Sequence, residues 1–115
     1  MTIMWCAFEG APTILRVYGW TRAIHRTDEQ WPHLLELFPA IPGARQIIEL
    51  EIGLVQASCG TAVPLLDYVG EREALNTWAE RTGERGIQDY WLDKNQHSID
   101  GIPTDVARLN QVEPK

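Results

Sequence analysis

The chain has 115 residues, the size of one domain, with 44% hydrophobic and 23% charged residues. Its net charge of −6 argues against nucleic acid and anionic membranes as partners, because both require a basic surface. No apolar run approaches the ~20 residues of a membrane span, and no basic signal-peptide start is visible, so we expect a cytoplasmic protein.

The first quarter of the chain has the patterns of β-strands. Residues 2–8 form a short apolar run, and a turn separates it from residues 13–26, which form either two consecutive strands or one strand bent at Gly19. A glycine inside a strand pattern predicts a bulge or a close approach of backbone. We expect the odd-numbered side chains of this segment to face the core, with Arg16 and Arg22 pointing away.

A helix is predicted at about residues 28–38, inserted between strands. The preceding segment, residues 27–30, has the capping-box pattern in which Thr27 caps the helix and Gln30 reaches back. Pro32 follows so soon that the regular part of the helix is expected to start near Trp31.

Residues 45–59 have the clearest strand signal, because apolar residues alternate with glutamates or glycine. One face of this strand should therefore be buried and the other exposed to solvent. The face predicted to be buried comprises Ile48, Leu50, Ile52 and Leu54. We expect Glu49 and Glu51 on the other face to pair with the arginines of the neighbouring strand. Binding of a phosphate by those arginines is the alternative.

Helical patterns follow at residues 71–81 and 85–95, and Gly83 is placed as the C′ residue of the first helix. The polar stretch "KNQHSIDGIP" comes directly after the second helix, at residues 94–103. One interpretation is a helix C-cap followed by a turn, and the other is a loop folded over a polar ligand. Residues 104–115 have no period, and we expect them to be flexible.

Since the strands precede most of the helices, the order of elements predicts an α+β fold, mainly antiparallel β with helices at one end. We expect residues 1–66 to form a partial sheet with one inserted helix, residues 67–103 a C-terminal helical segment packed on it, and residues 104–115 a tail. So few strands cannot close a barrel, and at least one edge stays open unless another element pairs with it.

Motifs for nucleotide-phosphate, dinucleotide and zinc-protease sites do not occur in the sequence. The three histidines lack ligand spacing, so we predict no metal site, and no side chain stands out as a catalytic base. Cys6 and Cys59 lie in apolar strand-like runs and are expected to be buried, reduced thiols.

Three long segments carry a family resemblance: "IMWCAFEGAPTILRVYG", "VQASCGTAVPLLDYVGER" and "WAERTGERGIQDYWLDKNQHSIDGIP". They resemble the pyridoxamine 5′-phosphate oxidase-like family of FMN-binding split-barrel proteins, and more closely an uncharacterised bacterial branch of it. The resemblance covers nearly the whole chain but only the C-terminal part of the family. It implies an antiparallel split β-barrel, here partial, with C-terminal helices, and usually a homodimer with FMN at the subunit interface.

The resemblance further implies an FMN-dependent oxidoreductase-like flavoprotein, truncated so that much of the flavin site is missing. In the relatives, preceding strands hold most groups that bind the flavin phosphate. The implied flavin contacts of this chain are Arg16, Lys94, Asn95 and Ser98.

The sequence departs from the family at the flavin ring. In the oxidases, the strand that matches residues 13–19 carries an R-Q-V pattern whose glutamine contacts the ring. Here the positions are Thr13, Ile14 and Leu15, and Ile14 has no hydrogen-bonding group. The arginine-rich substrate motif of the oxidases is also absent, which argues against pyridoxamine phosphate as the substrate.

Two other interpretations stay open. The first is a non-enzymatic split-barrel protein that completes its sheet by dimerisation and binds no flavin, since an open apolar edge needs a cover. The second is a relative that holds another small molecule, such as haem or a deazaflavin, for which His25 and His33 are the nitrogen ligands to test. We expect a homodimer with a small-molecule ligand, and neither nucleic acid nor membrane as a partner.

Overall fold

The computed structural model describes residues 1–113 and has the predicted α+β class. Over these residues it contains a three-stranded sheet in the order β1-β2-β3 and three helices. The elements are β1 (Thr2–Cys6), β2 (Thr13–His25), α1 (Trp31–Leu35), β3 (Gln46–Cys59), α2 (Ala74–Lys94) and α3 (Val106–Leu109). The sheet is open, so a split barrel is not closed by these strands alone.

The chain divides into two compact units. The sheet unit comprises residues 1–22 and 48–71, and therefore β1 with most of β2 and β3. The helical unit comprises residues 23–47 and the chain from Arg72 onward, and contains the helices together with the ends of the two long strands.

β2 is one continuous strand that passes through Gly19, so the two strand segments predicted at residues 13–26 are a single element. It pairs antiparallel with β1, with Ile3 opposite Val17 and Trp5 opposite Leu15. A Cβ at Gly19 would overlap the backbone carbonyl oxygen of Glu51. The predicted close approach of backbone at this glycine is therefore confirmed.

Polar side chains connect β2 to β3. The Arg22 guanidinium forms an ion pair with Glu49 at 2.8 Å, which confirms that a β3 glutamate pairs with an arginine of the neighbouring strand. Arg16 instead donates a hydrogen bond from Nη1 to the Ser58 hydroxyl at 2.8 Å.

The predicted buried face of β3 is largely exposed in this chain. Ile48, Ile52 and Leu54 are 43%, 55% and 58% exposed, and only Leu50 is half-buried. The alternation of β3 is real, but most side chains of its apolar face stay exposed among the described residues. On β2 the predicted parity fails too, because Val17 and Ile24 are both buried although they have opposite parity.

The start of α1 differs from the predicted capping box. The Asp28 carboxylate accepts a hydrogen bond from the His25 backbone N–H at 2.6 Å, and the Trp31 N–H donates to the Asp28 carbonyl. Thr27 donates its hydroxyl to the Leu109 carbonyl at 3.3 Å instead of capping the helix. The helix starts at Trp31, as Pro32 indicated.

α2 comprises two helical segments joined across a kink, which confirms the two helices predicted here. It is interrupted at Gly83, whose φ of 68° and ψ of 169° are not helical, at the position expected for a C′ glycine. Neither α2 nor either shorter helix in residues 1–113 has the length and apolar character needed to cross a membrane.

The predicted tail also differs. Val106–Leu109 forms α3, and Val106 and Val112 pack with α2 in the core of the helical unit. The core is formed by Ala79, Ile87, Trp91, Val106 and Val112. A helix this short shows no period in the sequence, and it is stabilised by packing rather than by propensity. Residues 114–115 of the predicted tail lie outside the described residues.

Candidate functional site

A polar cavity of about 300 Å³ lies in the helical unit, beside the C-terminal end of α2. Its wall is formed by His25, Arg45, Asn95, Val106 and Asn110. Its solvent-facing rim is formed by Gln46, His97, Ser98 and Thr104. Among the described residues that line it, the side chains include one arginine and two imidazoles but no carboxylate.

Much of the cavity lining is supplied by the end of α2 and the loop that follows. Asn95 is the C-cap residue, and its N–H donates to the Trp91 carbonyl at 2.9 Å. The loop then closes on itself: the Ser98 N–H donates to the Ile102 carbonyl at 2.8 Å, and the Gly101 N–H to the Ser98 carbonyl at 2.9 Å. The predicted helix cap and turn are therefore confirmed, and the same backbone geometry brings Asn95 and Ser98 to the cavity.

Arg45 is the one side chain of permanent positive charge in the cavity lining. Its Nη1 donates to Oδ1 of Asn95 at 2.9 Å. This bond holds the half-buried guanidinium at the cavity wall and leaves further N–H donors of the fork for another acceptor.

Two buried polar atoms in the cavity wall have no hydrogen-bond partner, Oδ1 of Asn110 and Nδ1 of His25. Asn110 is only 7% exposed, and its Nδ2 donates to the Val106 carbonyl at 3.0 Å, which fixes the orientation of the amide. Leaving a buried polar group unpaired costs about 1–3 kcal/mol. The wall is therefore prepared to receive a polar group.

The four predicted flavin contacts do not form one cluster. Asn95 and Ser98 meet at the cavity. Lys94 is exposed and pairs with Asp93 at 2.9 Å, and this hydrogen bond raises the pKa of Lys94. Arg16 belongs to the sheet unit and is bound to Ser58. Their role in binding a cofactor stays a prediction.

Three wall residues of the cavity were missed from the sequence as site residues: Arg45, Asn110 and His25, the last considered only as a haem ligand. Arg45 was assigned to the strand predicted at residues 45–59, and nothing in that pattern marked it as a site residue. Asn110 lies in the segment predicted to be flexible, so no signal pointed to it. The described residues contain no group of three or more side chains suited to a metal ion.

A second chemical feature lies at the end of β3 in the sheet unit. Cys6 and Cys59 are both free thiols, but Cys6 is half-buried and Cys59 is exposed, so the expectation of two buried thiols is wrong for Cys59. The Thr61 hydroxyl lies against Sγ of Cys59. Hydrogen bonds from the Thr61 side chain and backbone hold the pKa of the Cys59 thiol below its ordinary value.

No protein-family model matches the sequence, and no solved structure matches it significantly. The chain is 32% identical, over an alignment of 117 residues, to the pyridoxamine 5′-phosphate oxidase family protein ustO of Aspergillus flavus. The match covers 89% of this chain and 47% of that protein, so the chain spans about half the length of this curated relative. The family resemblance inferred from the sequence is thereby confirmed: the chain is a relative of the pyridoxamine 5′-phosphate oxidase family, whereas the bacterial branch and the match to the C-terminal part of the family stay predictions.

Proposed function

We propose that the chain works as part of an FMN-binding, oxidoreductase-like split-barrel protein whose sheet and flavin site are completed in a homodimer. The family relationship supports this assignment. The observation that carries it is the exposed apolar surface of the sheet: Trp5 and Leu15, which lie opposite each other on β1 and β2, are 51% and 38% exposed. Exposed apolar side chains that adjoin on one surface mark interaction or ligand sites.

The polar cavity of the helical unit does not fit FMN. The cavity of about 300 Å³ is at the lower end of small-molecule sites, and Val106 is the one apolar side chain that lines it, so it has no slot for the flavin ring system. Lys94 and Arg16 are engaged with Asp93 and Ser58. The sheet surface offers apolar area but no cluster of cations for a phosphate among the residues described.

The proposal therefore places the flavin against the sheet of the assembled protein rather than in this cavity. FMN, when bound, would supply the redox chemistry, and the protein would supply position and hydrogen bonds. Of the predicted contacts, Arg16 is the one in the sheet unit. It follows Leu15 on β2 and therefore lies on the face opposite the apolar surface of Trp5 and Leu15, where it would exchange its bond to Ser58 for the flavin phosphate. Ile14 cannot contribute a hydrogen bond to the ring, so the substrate we propose differs from pyridoxamine phosphate.

Titration of the purified protein with FMN tests the proposal. We expect the visible absorbance band of the flavin to shift and its fluorescence to be quenched by stacking on aromatic side chains. Light scattering on the same sample should give the mass of a dimer. Riboflavin, which lacks the phosphate, is the control ligand and should bind more weakly.

Paired variants of β2 sharpen the test. Arg16→Ala should weaken FMN binding about tenfold or more, because it removes a charge-assisted hydrogen bond to the phosphate. Arg22→Ala, on the same strand but ion-paired with Glu49, should leave FMN binding unchanged. A dimer with no spectral response to FMN would refute the flavoprotein proposal and favour the non-enzymatic alternative, whereas a monomer that binds FMN would refute the shared site.

A further inference from the structure

We propose that the cavity of the helical unit binds a small oxyanion that also carries a hydroxyl group, and that this ligand is distinct from the flavin. Hydrogenphosphate and short 2-hydroxycarboxylates have this chemistry. The inference goes beyond the proposed function and does not depend on flavin binding.

Charge in the cavity favours an anion. Arg45 is the permanent charge among its lining residues, and the imidazoles of His25 and His97 are neutral or positive, never negative. No carboxylate of the described residues lines the space, so no side chain of formal negative charge repels an oxyanion there. Arg45 is held in place by Asn95 at 2.9 Å, and the fork it presents suits planar or tetrahedral oxyanions.

Asn110 adds the second requirement, a hydrogen-bond donor on the ligand. Its Nδ2 is committed to the Val106 carbonyl, so the atom left in the cavity wall is Oδ1, which only accepts. A bare carboxylate offers no donor and would leave Oδ1 buried and unpaired. A hydroxyl group on the ligand can donate a hydrogen bond to Oδ1 of Asn110 and so satisfy this atom. His25 Nδ1, the other unpaired buried atom, can either donate or accept, depending on its tautomer.

Size and access agree with such a ligand. A cavity of about 300 Å³ admits an inorganic phosphate or a hydroxy acid of a few carbon atoms, but it is small for a flavin. The buried wall carries Asn110 and Val106, whereas Ser98 and Thr104 on the rim are exposed. A ligand can therefore enter from solvent past the rim and reach the unpaired atoms at the wall.

Calorimetric titration of the whole chain with inorganic phosphate, lactate and acetate, at matched ionic strength, tests the proposal. We expect phosphate and lactate to bind, and acetate, an oxyanion without a hydroxyl, to bind about tenfold more weakly than lactate because it leaves Oδ1 of Asn110 unpaired. Equal affinities for lactate and acetate, or no binding of phosphate and lactate, would overturn the assignment.

Variants locate the binding. Arg45→Met should abolish phosphate binding, while Arg85→Met, which removes an arginine of the same unit that pairs with Asp89 on α2, should leave it unchanged. Equal losses in the two variants would show a non-specific charge effect and refute the site. Asn110→Leu should remove the preference for lactate over acetate. If that variant unfolds, Arg45→Met and the acetate comparison still decide the question.

Competition with flavin separates this site from the proposed function. FMN should not displace phosphate, and Arg45→Met should bind FMN as the parent protein does. Displacement of phosphate by FMN but not by riboflavin would show that the cavity holds the flavin phosphate, which would overturn the claim of a distinct ligand. If the unmodified protein does not bind FMN but does bind phosphate, the proposed function is refuted and the oxyanion site is still supported.

Discussion

The two units of this chain bury their apolar side chains very differently. The helical unit has its own core, in which Ile87, Trp91 and Val106 are each 5–6% exposed. In the sheet unit, Val17 is the one hydrophobic side chain among the described residues that is buried, while most of its large apolar residues on β1, β2 and β3 stay exposed and a few, such as Ile3 and Leu50, are half-buried. Burial is the main source of stability, so the helical unit has the larger stabilising core, and the exposed sheet unit fits the homodimer we propose.

The largest expected effect on stability comes from truncating a side chain in the core of the helical unit. Trp91→Ala should lower the free energy of unfolding by about 3–5 kcal/mol, since it leaves a large cavity among packed side chains. Leu75→Ala, on the same helix but 72% exposed, should change it by less than about 0.5 kcal/mol. Chemical denaturation followed by circular dichroism measures both, and similar losses would contradict the assigned core.

In the sheet unit, we expect stability to depend most on a close contact between backbones at Gly19 rather than on a buried side chain. Gly19→Ala should cost about 1–3 kcal/mol, because its methyl group would overlap the Glu51 carbonyl and force the two strands apart. Gly10→Ala is the comparison: it has a positive φ of 66° but no atom within 4 Å of the added Cβ, so only the conformational strain of about 1 kcal/mol remains. A smaller loss at Gly19 than at Gly10 would refute the close approach.

A charge on the exposed sheet surface tests what that surface is for. Ile52→Lys should shift the proposed dimer toward monomer at least tenfold in dissociation constant, because it puts a charge into an apolar interface. Thr77→Lys, an equal charge change on the exposed side of α2, should leave the association unchanged. Light scattering over a dilution series measures the dissociation constant of both variants. An unchanged constant for Ile52→Lys would show that the interface lies elsewhere.

The smallest expected effect concerns Cys59. Its thiolate is the reactive form, and the hydrogen bonds from Thr61 favour that form, so the alkylation rate should rise at lower pH than for an ordinary thiol. Thr61→Val should raise the pKa of Cys59 and move the pH profile of alkylation upward, with the rate at neutral pH reduced. The measurement is made in a Cys6→Ala background. An unchanged profile would show that the Thr61 hydroxyl does not stabilise the thiolate.

Local features of the fold were predictable because short-range chemistry decides them. Gly19, the glycine break at Gly83 and the cap at Asn95 each follow from the backbone geometry that the residue type permits. The strand alternation of β3 was also correct as a pattern. What its apolar side chains contact was not predictable, since periodicity tells which residues share a face and not what covers that face.

The candidate site was only half predictable for a related reason. Asn95 and Ser98 stood out because they follow a helix end in a polar turn. Arg45 and Asn110 come from distant parts of the chain, and neither carries a motif. The cavity exists because the chain after α2 folds back onto that helix through Val106 and Val112, and that packing depends on tertiary contacts which no local pattern reports.

The interruption of α2 at Gly83 has a consequence for how this chain tolerates changes of length. In an unbroken helix, one inserted residue turns every following side chain by about 100° around the axis. An insertion beside Ile87 would therefore swing Trp91 away from the core. Next to Gly83 the backbone already leaves the helical path, at a φ of 68°. An extra residue there lengthens a turn, so insertions and deletions in natural homologues should collect at this glycine and spare the two helical segments on either side.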